Sequence, residues 1–189
     1  MSSRLILVSH APTTATRAAA FPRDEPLDAH GLAAATALVG ALPRADEVRC
    51  GPARRCVQTA TALGLTPTVD EDLRDGDLGT WAGRTLDEVA AGEPDAIAAW
   101  LTDPAAAPHG GECLRDLLDR TAGWLRALPD AARTIIAVTH PMVIRACIVT
   151  AIHATPASFW RIDIAPLTAT VLRGGPARWT LRTTAGPLT

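Results

Sequence analysis

Lysine is absent from this chain: all 18 basic residues are arginines. Any fixed cation in a binding site must therefore be a guanidinium, whose planar fork matches phosphate or carboxylate oxygens two at a time. Neither sign of charge is in large excess. The formal net charge of −2 removes any bulk electrostatic case for a nucleic-acid or membrane partner. The four cysteines, Cys50, Cys56, Cys113 and Cys147, show no CxxC spacing. They read as reduced thiols of a cytoplasmic protein, with neither a metal site nor a disulfide framework expected. Long apolar runs are missing too: the most apolar later stretch, residues 142–152, is too short to span a bilayer and carries Arg145. No secretory signal is visible after Met1, and there is no internal repeat or low-complexity tail.

What is present fits one domain over residues 1–189. A chain of this length buries enough surface to hold a core without staples. Residues 5–8 form a continuous apolar run, as a fully buried strand should. Residues 12–26 read as a loop. Asp28 is placed to cap a helix over 29–42, with Pro43 ending it. A second strand is expected at 47–50, then a helix from Pro52 to Leu63 with Gly64 as its cap. A third strand follows at 66–69 and a polar site loop at 70–84. Residues 86–101 are expected to be helical with a break near Gly92-Glu93-Pro94. A lid candidate lies around 84–111, its most flexible composition at 102–111. A helix is predicted over 112–128, a strand over 134–138 and a helix over 141–152. Edge strands are expected at 171–172 and 179–181, around a Gly174-Gly175-Pro176 turn.

Alternating strands and helices imply an α/β fold with a largely parallel sheet between helical layers. In such sheets ligands bind outside the carboxyl ends of the strands. Two of the apolar strands end there in a histidine, His10 after Val8-Ser9 and His140 after Val138-Thr139. Both imidazoles are thereby expected at one sheet edge.

Several segments in order then resemble the histidine phosphatase superfamily, with its phosphoglycerate-mutase-like fold. Val8-Ser9-His10-Ala11-Pro12-Thr13 resembles that family's Arg-His-Gly-x-Thr. Gly51-Pro52-Ala53-Arg54-Arg55-Cys56-Val57-Gln58-Thr59-Ala60 resembles its Ser-Pro-x-x-Arg-Ala-x-Gln-Thr-Ala. Leu73-Arg74-Asp75, Gly79-Thr80-Trp81-Ala82-Gly83, Gly110-Gly111-Glu112-Cys113 and Val138-Thr139-His140 match four further segments. The resemblance implies a three-layer α/β/α architecture and no cofactor. It also implies a phosphoryl-accepting nucleophile at His10, a phosphate-holding fork at Arg55, a second donor at His140 and a general acid at Asp75. Asp77 stays open as a substitute acid. Ser9, Ala11 and Thr13 are expected to border the phosphate.

The departures are concentrated at the site. Ser9 stands where the resembled motif has arginine, Ala11 where it has glycine, and Asp75 is one methylene shorter than glutamate. Arg17 is the leading candidate for a replacement guanidinium, and Arg54 the second. Trp81 is the tryptophan expected nearest the pocket, and His109 a candidate substrate contact. The expected function is a phosphomonoesterase acting on a small phosphorylated metabolite through a phosphohistidine. The rival is a phosphate- or anion-binding regulatory module with little turnover; a mutase is third, because the chain has little room for extra segments. A homodimer through an exposed edge near Val171 completes the expectations.

Overall fold

The computed structural model describes residues 2–129, 131–176 and 178–188. A six-stranded sheet runs through it. Its strands are β1 (Ser3–Ser9), β2 (Glu47–Cys50), β3 (Thr68–Val69), β4 (Thr134–Thr139), β5 (Thr168–Gly175) and β6 (Arg178–Pro187), in the spatial order β3-β2-β4-β1-β5-β6. The pairs β3-β2, β2-β4 and β4-β1 are parallel, while β5 and β6 join antiparallel.

Strand alternation divides the core. Leu5 and Leu7 of β1 pack with Ile135 and Ala137 of β4 against α6 (Leu114–Ala127) and α7 (Pro141–Ala151). Ile6 and Val8 pack with Ile136 and Val138 on the other face, against Cys56, Ala60 and Leu63 at α3 (Arg54–Ala62). The result is the α/β/α layering that apolar runs buried on both faces demand. A third cluster, Phe21, Leu78, Trp81, Val89 and Trp100, lies beside the strand ends. It is fed by α4 (Leu86–Gly92) and α5 (Pro94–Thr102), which part at the expected break, with Pro94 in the first turn of α5.

Several expectations are corrected. The 12–26 loop contains a short helix, α1 (Thr14–Arg17), because Thr13 and Thr16 form a reciprocal capping box. Helix α2 (Ala29–Thr36) stops before Leu42, since Leu38 and Val39 bond three residues back and tighten the chain out of α-geometry. Helix α3 begins at Arg54, not Pro52, with its first N–H taken by Asp24. Helix α6 begins at Leu114, because the Glu112 amide bonds Asp77 and the Glu112 carboxylate is held by Arg120. The strand near Val171 is not an edge: β5 pairs with β1 on one side and β6 on the other. The dimer surface expected there is therefore already occupied within the chain. No helix among the described residues is long and apolar enough to cross a membrane.

Candidate active site

Strands β1 and β4 are parallel neighbours with Ser9 level with Thr139, so the residues that follow, His10 and His140, emerge together. The His10 amide bonds the Thr139 carbonyl at 3.0 Å, and the two imidazole centroids are 5.4 Å apart. The His10 Nδ1 lies 2.8 Å from the Ala11 carbonyl, an acceptor only, which assigns the proton to Nδ1 and leaves the Nε2 lone pair free. Burial pushes the His10 pKa below its ordinary value, so the ring is neutral near pH 7. A neutral imidazole with one fixed N–H is the form a nitrogen nucleophile requires.

Helix α3 brings the cation. Arg55 is almost wholly buried; its Nη2 donates to Asp75 Oδ2 at 2.8 Å and its Nη1 to the Arg23 carbonyl at 2.5 Å, with Glu25 3.8 Å away. One turn later, Thr59 Oγ1 donates to the Arg55 carbonyl at 2.7 Å and accepts the Ala11 amide at 2.9 Å. A single buried hydroxyl thus ties the loop after His10 to the helix that carries Arg55.

Asp75 completes the cluster. Its Oδ2 also lies 3.3 Å from His140 Nδ1. Burial opposes the charge on Asp75, but the neighbouring His140 and Arg55 more than offset it and hold the carboxyl below its usual range. Burial pushes His140 down to about 3. Gly51 makes room for this ring: a Cβ there would meet the Leu73 carbonyl at 2.5 Å and His140 Nε2 at 3.2 Å. Asp77 lines a cleft together with Arg55 and Asp75, and its Oδ1 accepts the Gly79 amide at 2.9 Å.

The sequence reading overlooked Arg120. From α6 it donates to the carbonyls of Asp72 (2.7 Å) and Arg74 (3.1 Å), and its fork grips Glu112 at 2.9 and 2.7 Å. It fixes the loop that carries Asp75. The only sequence signal was an opposite-charge pair eight residues apart, Glu112 just before an otherwise ordinary amphipathic helix and Arg120 within it.

Four candidates are not brought to the ligand side. The Arg17 guanidinium pairs with Asp28 instead. Thr13 is spent on capping α1 and on Glu25 at 3.1 Å, leaving Ala15 and Thr16 to line the cavity. The Ala11 amide is taken by Thr59. Ser9 is fully buried on the Leu5–Leu7 face of β1, its Oγ without a partner among the described residues. Trp81 and His109 are buried behind the pocket, edge to face at 5.1 Å, while Trp100 and Trp160 form its wall. Arg54 is exposed. The four cysteines are buried and form no disulfide among the described residues, and Cys56 Sγ lies 3.3 Å from His140 Nε2.

Comparison with known proteins identifies the family. The sequence profile described as "Histidine phosphatase superfamily (branch 1)" matches residues 5–185. A glucosyl-3-phosphoglycerate phosphatase of Mycolicibacterium vanbaalenii is 34% identical over 122 residues, which are 58% of this chain and 54% of that protein. The match therefore spans about half the length of that curated relative. The solved structure of mycobacterial glucosyl-3-phosphoglycerate phosphatase superposes with a TM-score of 0.83 at 25% identity, over 98% of this chain and all (100%) of that one. A phosphoserine phosphatase structure from Entamoeba histolytica, 18% identical, shares the fold with a TM-score of 0.88 over 97% and 96% of the two chains.

Proposed function

Given that the chain belongs to the histidine phosphatase superfamily, branch 1, we propose that it is a phosphomonoesterase that hydrolyses a small phosphorylated metabolite through a phosphohistidine at His10. The observation that carries this reading is the His10 ring itself: Nδ1 on the Ala11 carbonyl, Nε2 free, beside the Arg55–Asp75–His140 cluster.

In the first step the His10 Nε2 lone pair attacks phosphorus. The P–O bond to the leaving group breaks, and the departing oxygen takes the proton carried by Asp75. Arg55 holds the transferring oxygens with its N–H groups, while His140, with Nδ1 on Asp75 and Nε2 3.3 Å from Cys56 Sγ, positions the acid. Binding itself prepares the acid. A phosphoryl group on Arg55 draws away the guanidinium that stabilises the Asp75 charge and sets a negative neighbour beside it, so the carboxyl takes up a proton. In the second step Asp75, now a carboxylate, accepts a proton from water. The water oxygen attacks phosphorus, the P–N bond breaks, and phosphate and neutral His10 are regenerated. General acid–base help of this kind contributes roughly 10²- to 10⁴-fold.

One observation favours a second reading, an anion-binding module with little turnover. Serine, not arginine, immediately precedes His10, and Arg55 is already paired with Asp75, so the free site holds little unspent positive charge. The two readings part in one experiment. The protein is offered 4-nitrophenyl phosphate and a panel of phosphometabolites, phosphate release is followed, and the acid-labile, alkali-stable adduct is trapped with His10→Ala as control. A phosphatase releases phosphate and carries an adduct that vanishes in the variant. A module binds phosphate and does neither.

A further inference from the structure

Beside His10 lies a cavity of about 240 Å³ whose lining does not include Arg55. Its wall is apolar, with Phe21, Trp100, Met142, Trp160 and Ile164 among its lining. The Trp100 and Trp160 ring centroids are 4.4 Å apart at 61°, an angled aromatic corner. One arginine lines this cavity, Arg145, on α7 five residues beyond His140. It is half-buried, its guanidinium lies 5.9 Å from the Phe159 centroid, and its buried Nε has no hydrogen-bond partner among the described residues. Asp163 is exposed and close enough to favour the Arg145 charge that burial opposes, but the two form no ion pair among the described residues. The carboxylates that line the cavity, Asp75 and Glu25, are committed at the other end, to Arg55 and His140 and to Thr13 and the Arg23 amide.

A guanidinium set into an apolar wall with its Nε unpaired is stabilised when a ligand brings an anion to it. Few other side chains here can satisfy a hydroxyl-rich body. We propose that the substrate is a phosphomonoester with an apolar, flat body that packs into the Trp100–Trp160 corner and bears a carboxylate received by Arg145. Arg145 is then the residue that selects among phosphate esters, while Arg55 recognises the phosphoryl group common to all of them. This rests on the reading of His10 as the phosphoryl acceptor. It takes Arg145, not Arg17, as the second guanidinium of the pocket, and gives it the far end of the substrate rather than the phosphate.

The test uses binding, so that it does not depend on turnover. Calorimetry compares benzylphosphonate, its 3- and 4-carboxy derivatives and the neutral 4-carbamoyl derivative on the wild-type protein, Arg145→Gln and Arg145→Lys. A carboxylated phosphonate is expected to bind about tenfold or more tightly than the parent and the carbamoyl compound. Arg145→Gln should collapse that ratio to about one, and Arg145→Lys should restore part of it. The proposal is overturned if the wild-type protein shows no preference for either carboxylated compound, or if Arg145→Gln weakens the parent and the carboxylated compounds equally. The carbamoyl comparison needs no variant and stands even if Arg145→Gln misfolds. Preference for carboxylate without hydrolysis of phenyl or carboxyphenyl phosphates would overturn the phosphatase reading and uphold the specificity of the pocket.

Discussion

Asp75 Oδ2 sits 2.8 Å from Arg55 Nη2, the group that receives a phosphoryl oxygen on the proposed reading. The proposed acid is therefore also an internal competitor for the phosphate seat. Removing its charge should have opposite effects on binding and on chemistry. Asp75→Asn is expected to lower kcat by about 10²- to 10⁴-fold while tightening inhibition by inorganic phosphate. Steady-state kinetics with phosphate as competitive inhibitor reads both. A parallel weakening of phosphate would show that Asp75 does not compete for Arg55.

Thr59 is the point where the segments carrying His10 and Arg55 meet. Thr59→Val keeps the shape and removes the acceptor of the Ala11 amide and the donor to the Arg55 carbonyl. A buried N–H left unpaired costs about 1–3 kcal/mol, which urea denaturation measures. Because both His10 and Arg55 lose a tether, kcat should fall more than stability alone would suggest. Unchanged kcat on the folded variant would mean that the relay holds nothing in place.

Arg120 acts through the loop it grips. Arg120→Met preserves much of the aliphatic bulk but releases the carbonyls of Asp72 and Arg74 and the Glu112 carboxylate. We expect roughly a tenfold loss in kcat, with KM for phosphate esters changed far less. The matching shift is in the pH–rate profile, because a loosened Asp75 no longer keeps its depressed pKa. A variant with an unaltered profile would confine Arg120 to folding.

Ser9 gives the reverse case. Its hydroxyl is buried and has no partner among the described residues. Ser9→Ala should be neutral or stabilising, by up to about 1 kcal/mol, with phosphate affinity unchanged. A thermal melt and a phosphate inhibition constant decide it. A clear loss of affinity would return Ser9 to the binding set.

Acid should destabilise the fold before the usual carboxylate range is reached. His140 titrates at about 3 when folded and near 6.5 when unfolded, so the unfolded chain binds the extra proton between those values. The contribution is complete above pH 6.5 and is lost as pH falls toward 3. By pH 5 the loss amounts to about 2 kcal/mol. Asp75, whose pKa is also depressed, adds a loss of the same sign at still lower pH. Stability followed by denaturant melts from pH 7.5 to 5 should decline in the wild-type protein and be flatter in His140→Gln.

The strands, the helical layers and the two histidines are legible in the sequence for one reason. Apolar runs of four or five residues, each ending in a polar loop, leave few ways to build a sheet, and parallel neighbours deliver their end residues side by side. Arg55 and Asp75 required the resemblance, since nothing in their local pattern distinguishes them from surface charges. Arg120 and Arg145 were missed because helical periodicity grades a residue by its own helix, while their roles depend on what the neighbouring loops bring against them. Arg17 was misplaced because its partner, Asp28, looked fully employed as the cap of α2; in fact one oxygen caps Gly31 and the other takes the guanidinium. Trp100 was passed over because the chain between α5 and the sheet leaves no sequence record of which tryptophan faces inward.

The parallel pairing of β1 with β4 has a consequence for how this site can vary. The backbones bearing His10 and His140 are anchored one inter-strand spacing apart, a repeat of about 4.8 Å common to all sheets. Side-chain substitutions can tilt either ring, but they cannot stretch that interval without undoing the ladder. The imidazole pair is thus calibrated by the sheet, whereas Asp75 and Arg145 hang from a loop and a helix face. Divergence in reaction rate and in substrate choice is therefore channelled into those two mountings, and the distance between the histidines stays a constant of the fold.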